Sequence, residues 1–314
     1  MRVGVVFPGQ GSQTVGMGVE VAHAYPASME CFRAAKNVIG YDLLAICENG
    51  PESTLRETRY AQPAIFVTDV ALYAAVQDVL APVVSAGHSF GEFCSLMIAE
   101  AMSYEAALAL VNERGLAMHR AAQHTNGAMA AVLGLAPEAL RTAVGQAIAE
   151  GAGRVQLANF NAPGQIVISG DADAVRIAGE FATEAGAKRV VALNVAGAWH
   201  SALMDSARAE FAPKVRDAAI TLPHFTVISN VDAKPYTSVA QIKENLVRSV
   251  TDEVLWHDTA VAMVGLGLDL IVEFGASPVL APMMKRIDGA PHAMSVADIA
   301  GVEKLRTMLS KAAV

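Results

Sequence analysis

Ser89 lies between two glycines, in the run Gly87-His88-Ser89-Phe90-Gly91-Glu92-Phe93. The short apolar stretch Pro82–Ala86 before it reads as a buried strand, and Phe90–Glu100 after it reads as a helix. Strand, Gly-x-Ser-x-Gly, helix is the arrangement of a nucleophile elbow. A turn this tight leaves no room beside the serine, so glycines flank it. It lifts Oγ out of the fold and sets it at a helix N-terminus, where free amides can stabilise an oxyanion. Three such fixed positions recur by chance roughly 0.1 times in a chain of this length, and the pattern occurs once here. The competing reading is a glycine-rich loop closing a buried strand; a partner base decides between them.

A serine nucleophile needs a base within hydrogen-bond reach. Of the eight histidines, His200 is the candidate. It follows a buried strand in Gly197-Ala198-Trp199-His200-Ser201, whereas the other candidates fall on helices or surface turns, and His88 is expected to point away from the elbow. The candidate acids between serine and histidine in chain order, Asp171, Asp173 and Glu184, fall in a separate small unit and are badly placed to orient His200. A Ser–His dyad, its imidazole held by a backbone carbonyl, is therefore expected. Further along, Ala107, Val111, Arg114 and Met118 share one face of a helix capped by Ser103. A charge on an apolar face is costly unless paired. Arg114 is either a structural ion pair or an anion anchor in a pocket.

The elements that position these residues follow from the remaining pattern. Residues 2–7 read as a first strand, followed by the polar loop Pro8-Gly9-Gln10-Gly11-Ser12-Gln13. Helices are expected over 27–38, 61–80, 104–121, 202–219, 239–250, 257–266, 278–287 and 301–312, and strands over 225–229 and 269–274. Between them, 127–195 reads as strand, helix, two strands, helix and strand, the order of a split ferredoxin-like unit. The expected architecture is α/β: an α/β-hydrolase-like large domain (1–125 and 196–314) carrying the elbow, with a ferredoxin-like small domain (126–195) inserted. Composition agrees, with 314 residues, 53% hydrophobic and 17% charged. A net charge of −8 argues against nucleic acid as a partner. No apolar run is long enough to span a bilayer, and the first residues do not read as a signal peptide. Cys31, Cys47 and Cys94 lack metal-ligand spacing and fit reduced thiols in a cytoplasmic protein.

These motifs carry a resemblance. The chain resembles the malonyl-CoA:acyl carrier protein transacylases of fatty-acid and polyketide synthesis along nearly its whole length. The marks are Phe7–Gln13, Gly87–Glu92, Arg114, Asn159-Phe160-Asn161-Ala162-Pro163-Gly164-Gln165 and Gly197–Ser201, in that order. The resemblance implies that Ser89 is acylated with His200 as base, and that the amides of Gln10 and Phe90 form the oxyanion hole. It also implies that Arg114 holds the malonyl carboxylate in a pocket shared with Met118, Asn159, Asn161 and Trp199. The carbonyl of Leu255, before Trp256, is expected to orient His200. Phe90 and Trp199 stand where smaller residues are commoner in the family, enlarging the pocket wall. No bound cofactor is implied: the coenzyme A thioester is substrate. The expected partners are malonyl-CoA and an acidic acyl carrier protein, docked on Lys188 and Arg189, with no membrane partner and a monomeric enzyme. A serine thioesterase or acyl hydrolase on a similar elbow is the alternative, and a non-catalytic carrier-docking module a third reading.

Overall fold

The computed structural model describes residues 1–312. Five strands make a parallel sheet: β1 (Val3–Phe7), β2 (Pro82–Gly87), β7 (Thr226–Ile228), β8 (Leu270–Phe274) and β9 (His292–Val296), in the order β7-β2-β1-β8-β9. β1 is central and buried throughout. A parallel sheet covered by helices on both faces requires such continuous apolar runs. The second sheet is antiparallel: β3 (Gly127–Leu133), β4 (Val155–Ala162), β5 (Gln165–Asp171) and β6 (Arg189–Ala192), in the order β4-β5-β3-β6. Its two helices, Pro137–Ala149 and Ala172–Glu184, pack with it around a core of their own.

The two sheets are joined where the chemistry is expected. β4 bonds to the segment ahead of the Trp256–Val264 helix, Val254 N to Ala158 O at 2.8 Å and Phe160 N to Val254 O at 2.9 Å. That bridge fixes Asn159 and Asn161 opposite the elbow. Arg286 makes a second tie, donating to Gln165 Oε1 and the Pro163 carbonyl at the β4–β5 turn.

Several boundaries differ from expectation. The helix expected over 61–80 is Thr58–Ala74, and the one expected over 278–287 is only Leu280–Met284, with Pro282 inside it. Its first amides, on Val279, Leu280 and Ala281, are held by the buried Glu273 carboxylate. The expected 202–219 helix opens as a 3₁₀ turn, Ala202–Met204, before the helix Asp205–Asp217. β6 stops at Ala192 rather than 195. β9 and the short helices Val19–Ala24, Leu43–Asn49 and Glu52–Arg56 were not anticipated. No helix of the described residues is long and apolar enough to cross a membrane.

Candidate active site

The glycines of the elbow are required by contact. A Cβ on Gly87 would lie 1.9 Å from the Gly91 carbonyl carbon, and one on Gly91 would lie 2.4 Å from the Phe7 carbonyl oxygen. Between them Ser89 adopts φ 54°, the left-handed region that non-glycine residues rarely occupy. The helix Gly91–Ile98 starts immediately after, with Phe90 as its N-cap. Gly9 lets the first loop approach closely: a Cβ there would meet the His88 carbonyl at 2.9 Å. The backbone amides of Gln10 and Phe90 have no hydrogen-bond partner among the described residues. They are thus available to an oxyanion, and the Gln10 side chain is anchored on Thr58 Oγ1 at 3.1 Å.

His200 also sits at positive φ, 56°, and its Nε2 lies 2.9 Å from Ser89 Oγ. Both residues are buried. Burial, then the charge of Arg114 and the ring of His88, hold the His200 pKa down at about 3. The carbonyls of Asp252 and Ser249 push the other way. For Nε2 to accept the serine proton, the ring proton must sit on Nδ1. Nδ1 has no hydrogen-bond partner among the described residues. The Leu255 carbonyl, expected to orient this ring, accepts from Thr259 N at 2.9 Å in the first turn of the next helix; the backbone groups that raise the His200 pKa are those of Asp252 and Ser249. Gln156 on β4 braces the same loop, donating to the carbonyls of His200 and Thr251 and accepting from Ala202 N.

Arg114 is fully buried. Its Nη1 donates to Gln62 Oε1 at 3.0 Å, and its Nη2 donates to Ser89 Oγ at 3.2 Å and, more weakly, to Ser249 O at 3.5 Å. Among the described residues no carboxylate bonds to it. The acid it feels is Glu92, whose oxygens are taken by Asn230 Nδ2 and Tyr236 Oη. Burial lowers the Arg114 pKa to about 10, leaving it a cation at neutral pH, and burial raises that of Glu92 to about 7. A cavity of about 220 Å³ opens in front of these groups, and Arg114 is the one charged side chain on its wall among the described residues.

Gln10, Met118, Asn159, Asn161 and Trp199 all line this cavity with Ser89, Arg114 and His200. Leu255, Lys188 and Arg189 do not. His88, expected to point away, also lines it: its Nε2 lies 2.9 Å from Asn161 Oδ1, tying the elbow to β4. Gln62, Gln156 and Asn230 were not anticipated. Their contacts span 52, 44 and 141 positions along the chain, and no local pattern marks them.

The depressed His200 pKa has a direct consequence. Its folded value lies below the ordinary 6.5, so the ring stays neutral over the range where a free histidine would charge. In a proton NMR titration from about pH 8 to about pH 5 the His200 ring resonances should hold at their neutral positions. A midpoint near 6.5 would contradict this electrostatic environment.

A strained serine at a helix N-terminus, a neutral imidazole on its hydroxyl and two free amides beside it can carry acyl transfer through a covalent serine ester. The chain belongs to the acyl transferase domain family, whose pattern matches residues 5–309. It is similar to the malonyl CoA-acyl carrier protein transacylase of Haemophilus influenzae, 39% identical over 311 residues, covering 98% of this chain and 99% of that protein. The acyl carrier protein S-malonyltransferase of Vibrio cholerae, a 1.7 Å crystal structure, superposes with a TM-score of 0.92 at 37% identity over 97% of this chain and 100% of that one. A malonyl-transacylase solved in complex with its type II PKS acyl-carrier protein gives a TM-score of 0.94 at 36% identity, covering 98% of this chain and all of that one.

Proposed function

We propose that this protein transfers a malonyl group from malonyl-CoA to the phosphopantetheine thiol of an acyl carrier protein, through an acyl-enzyme on Ser89. The observation that carries the reading is Arg114, a buried cation donating to the Ser89 hydroxyl at 3.2 Å with no carboxylate bonded to it among the described residues. An acyl group on Oγ that ends in a carboxylate would supply that partner. The names of relatives near 39% identity over almost the whole chain support the same substrate and acceptor.

In the first step His200 Nε2 takes the Ser89 proton while Oγ attacks the thioester carbonyl. The oxyanion sits against the Gln10 and Phe90 amides. The C–S bond breaks, and His200 returns the proton to the leaving thiolate. In the second step the carrier thiol gives its proton to His200 and attacks the ester, and Ser89 leaves with that proton. Only protons and an acyl group move, so the scheme calls for neither a metal nor a redox cofactor. Asn159 and Asn161, with Met118 and Trp199, shape the pocket around the acyl chain. In fold terms, the strand order β4-β5-β3-β6 supports a ferredoxin-like unit over 126–195, set into an α/β-hydrolase-like body formed by 1–125 and 196–314.

The hydrolase reading is separated by incubating the enzyme with malonyl-CoA and no acceptor. The transferase accumulates one malonyl group per chain and releases little malonate. Steady release of malonate at the rate of acyl transfer would favour the hydrolase.

Carrier docking is assigned to Lys188 and Arg189, at the start of the edge strand β6 that leads to the cavity-lining Leu193 and Val195. Rim charges act mainly on association rate and salt dependence. Reversing both should raise the apparent KM for carrier protein and leave acylation by malonyl-CoA intact. Unchanged carrier kinetics would remove them from the interface.

A further inference from the structure

Ser89 is held at its unfavourable φ of 54° by a side chain 141 positions away. β7 pairs with β2 only as far as Ala86 and Ile228. Two residues past that point, Asn230 takes over with its side chain. Its Oδ1 accepts from Ser89 N at 2.9 Å and its Nδ2 donates to Ser89 O at 3.0 Å, as the peptide of a neighbouring strand would. Nδ2 also donates to Glu92 Oε2 at 2.7 Å. Asn230 is 1% exposed, so none of these bonds is shared with bulk solvent. The orientation of the carboxamide is unambiguous, because a flip would set its oxygen against a carbonyl and a carboxylate.

The geometry has a consequence for the neighbouring amide. The Ser89 carbonyl and the Phe90 N–H belong to one planar trans peptide and point in opposite directions. Whatever holds the carbonyl aims the amide. We propose that Asn230 is the positioning residue of the nucleophile: by clamping both peptide groups of Ser89, it fixes the line from Oγ to His200 and turns the Phe90 N–H toward the developing oxyanion. This rests on the role proposed above for Ser89 and the Phe90 amide. The helical bond from Glu92 N reaches the same carbonyl at 3.3 Å and supplies weaker support. Without the carboxamide, that bond alone would hold the peptide, and the Ser89 amide would be buried without a partner.

The test is rapid-quench acylation by malonyl-CoA read by intact mass, comparing the full-length Asn230→Ala and Asn230→Ser variants with the native enzyme. Serine leaves room for water to satisfy Glu92 and Ser89, and is the gentler variant should alanine fail to fold. The acylation rate constant per acylatable site is expected to fall by about 10²-fold in Asn230→Ala, the scale of a lost oxyanion donor. In Asn230→Ser it should fall less, in the same direction. The KM for malonyl-CoA should stay within a few-fold, and the final extent of acylation should still reach one per chain. A purely structural role would lower the melting temperature and the fraction of competent sites while each surviving site reacted at the native rate. That outcome, or native rates in both variants, overturns the proposal. A native enzyme that acquires no malonyl group on Ser89 would instead defeat the underlying reading, whatever the variants do.

Discussion

Ser89→Ala should yield a protein that gains no malonyl mass and whose turnover falls by at least ~10³-fold. The substitution is a clean one. Alanine at φ 54° is strained about as much as serine, and among the described residues the lost hydroxyl bonds only to His200 and Arg114. Both backbone bonds to Asn230 survive it. The melting temperature should therefore stay near that of the native protein while activity is lost. His200→Ala should do comparable damage, because residues acting as one unit are not additive. Malonylation of Ser89→Ala at another residue, at the native rate, would remove Ser89 from the mechanism.

Arg114→Ala should cut kcat/KM for malonyl-CoA by roughly 30- to several-thousand-fold, the range set by about 2–5 kcal/mol for one partner of a buried charged pair. Acetyl-CoA carries no carboxylate, so its rate should hold or rise, and the malonyl/acetyl preference should collapse. A planar guanidinium holds a carboxylate through two parallel bonds, which an ammonium cannot match. Arg114→Lys should therefore recover only part of the preference. Arg114→Ala leaves Gln62 Oε1 without this donor, but Gln62 lines the cavity, which water can enter. A folded Arg114→Ala enzyme with the native malonyl/acetyl ratio would make the arginine structural.

The parts of the site that sequence reading reached are those with a local cause. Gly87 and Gly91 are dictated by atoms within the turn and the strand beside it, and that constraint is written in the spacing. Arg114 declared itself by its phase: it shares a helix face with Val111 and Met118, while Glu113 lies about 100° around. What sequence reading missed is supplied from afar or by backbone. A carbonyl leaves no mark in residue type, so nothing in the sequence singles out the backbone groups of Ser249 and Asp252 that act on His200. Asn230 sits in a stretch, Asn230-Val231-Asp232-Ala233-Lys234-Pro235, that reads only as a turn, since the carboxamide's purpose depends on the elbow across the sheet. His88 was misjudged because the bond that holds it comes from Asn161 in the other sheet. In the fold, β9 escaped because His292-Ala293-Met294-Ser295-Val296 has one β-branched residue and no clear alternation. The Leu280–Met284 helix starts where it does because its first amides are held by Glu273, six to eight residues back on β8, a cap outside the helix that periodicity does not reveal.

The central claim is that one serine carries the acyl group between two thiols. It is tested most directly by exposing the native enzyme to malonyl-CoA, locating the added mass by peptide mapping, and then adding a phosphopantetheinylated acyl carrier protein. The account predicts a single malonyl group on the peptide containing Ser89, stable in buffer and discharged onto the carrier thiol when the carrier is added. A label on any other residue, or an ester that water removes as fast as the carrier does, would contradict it.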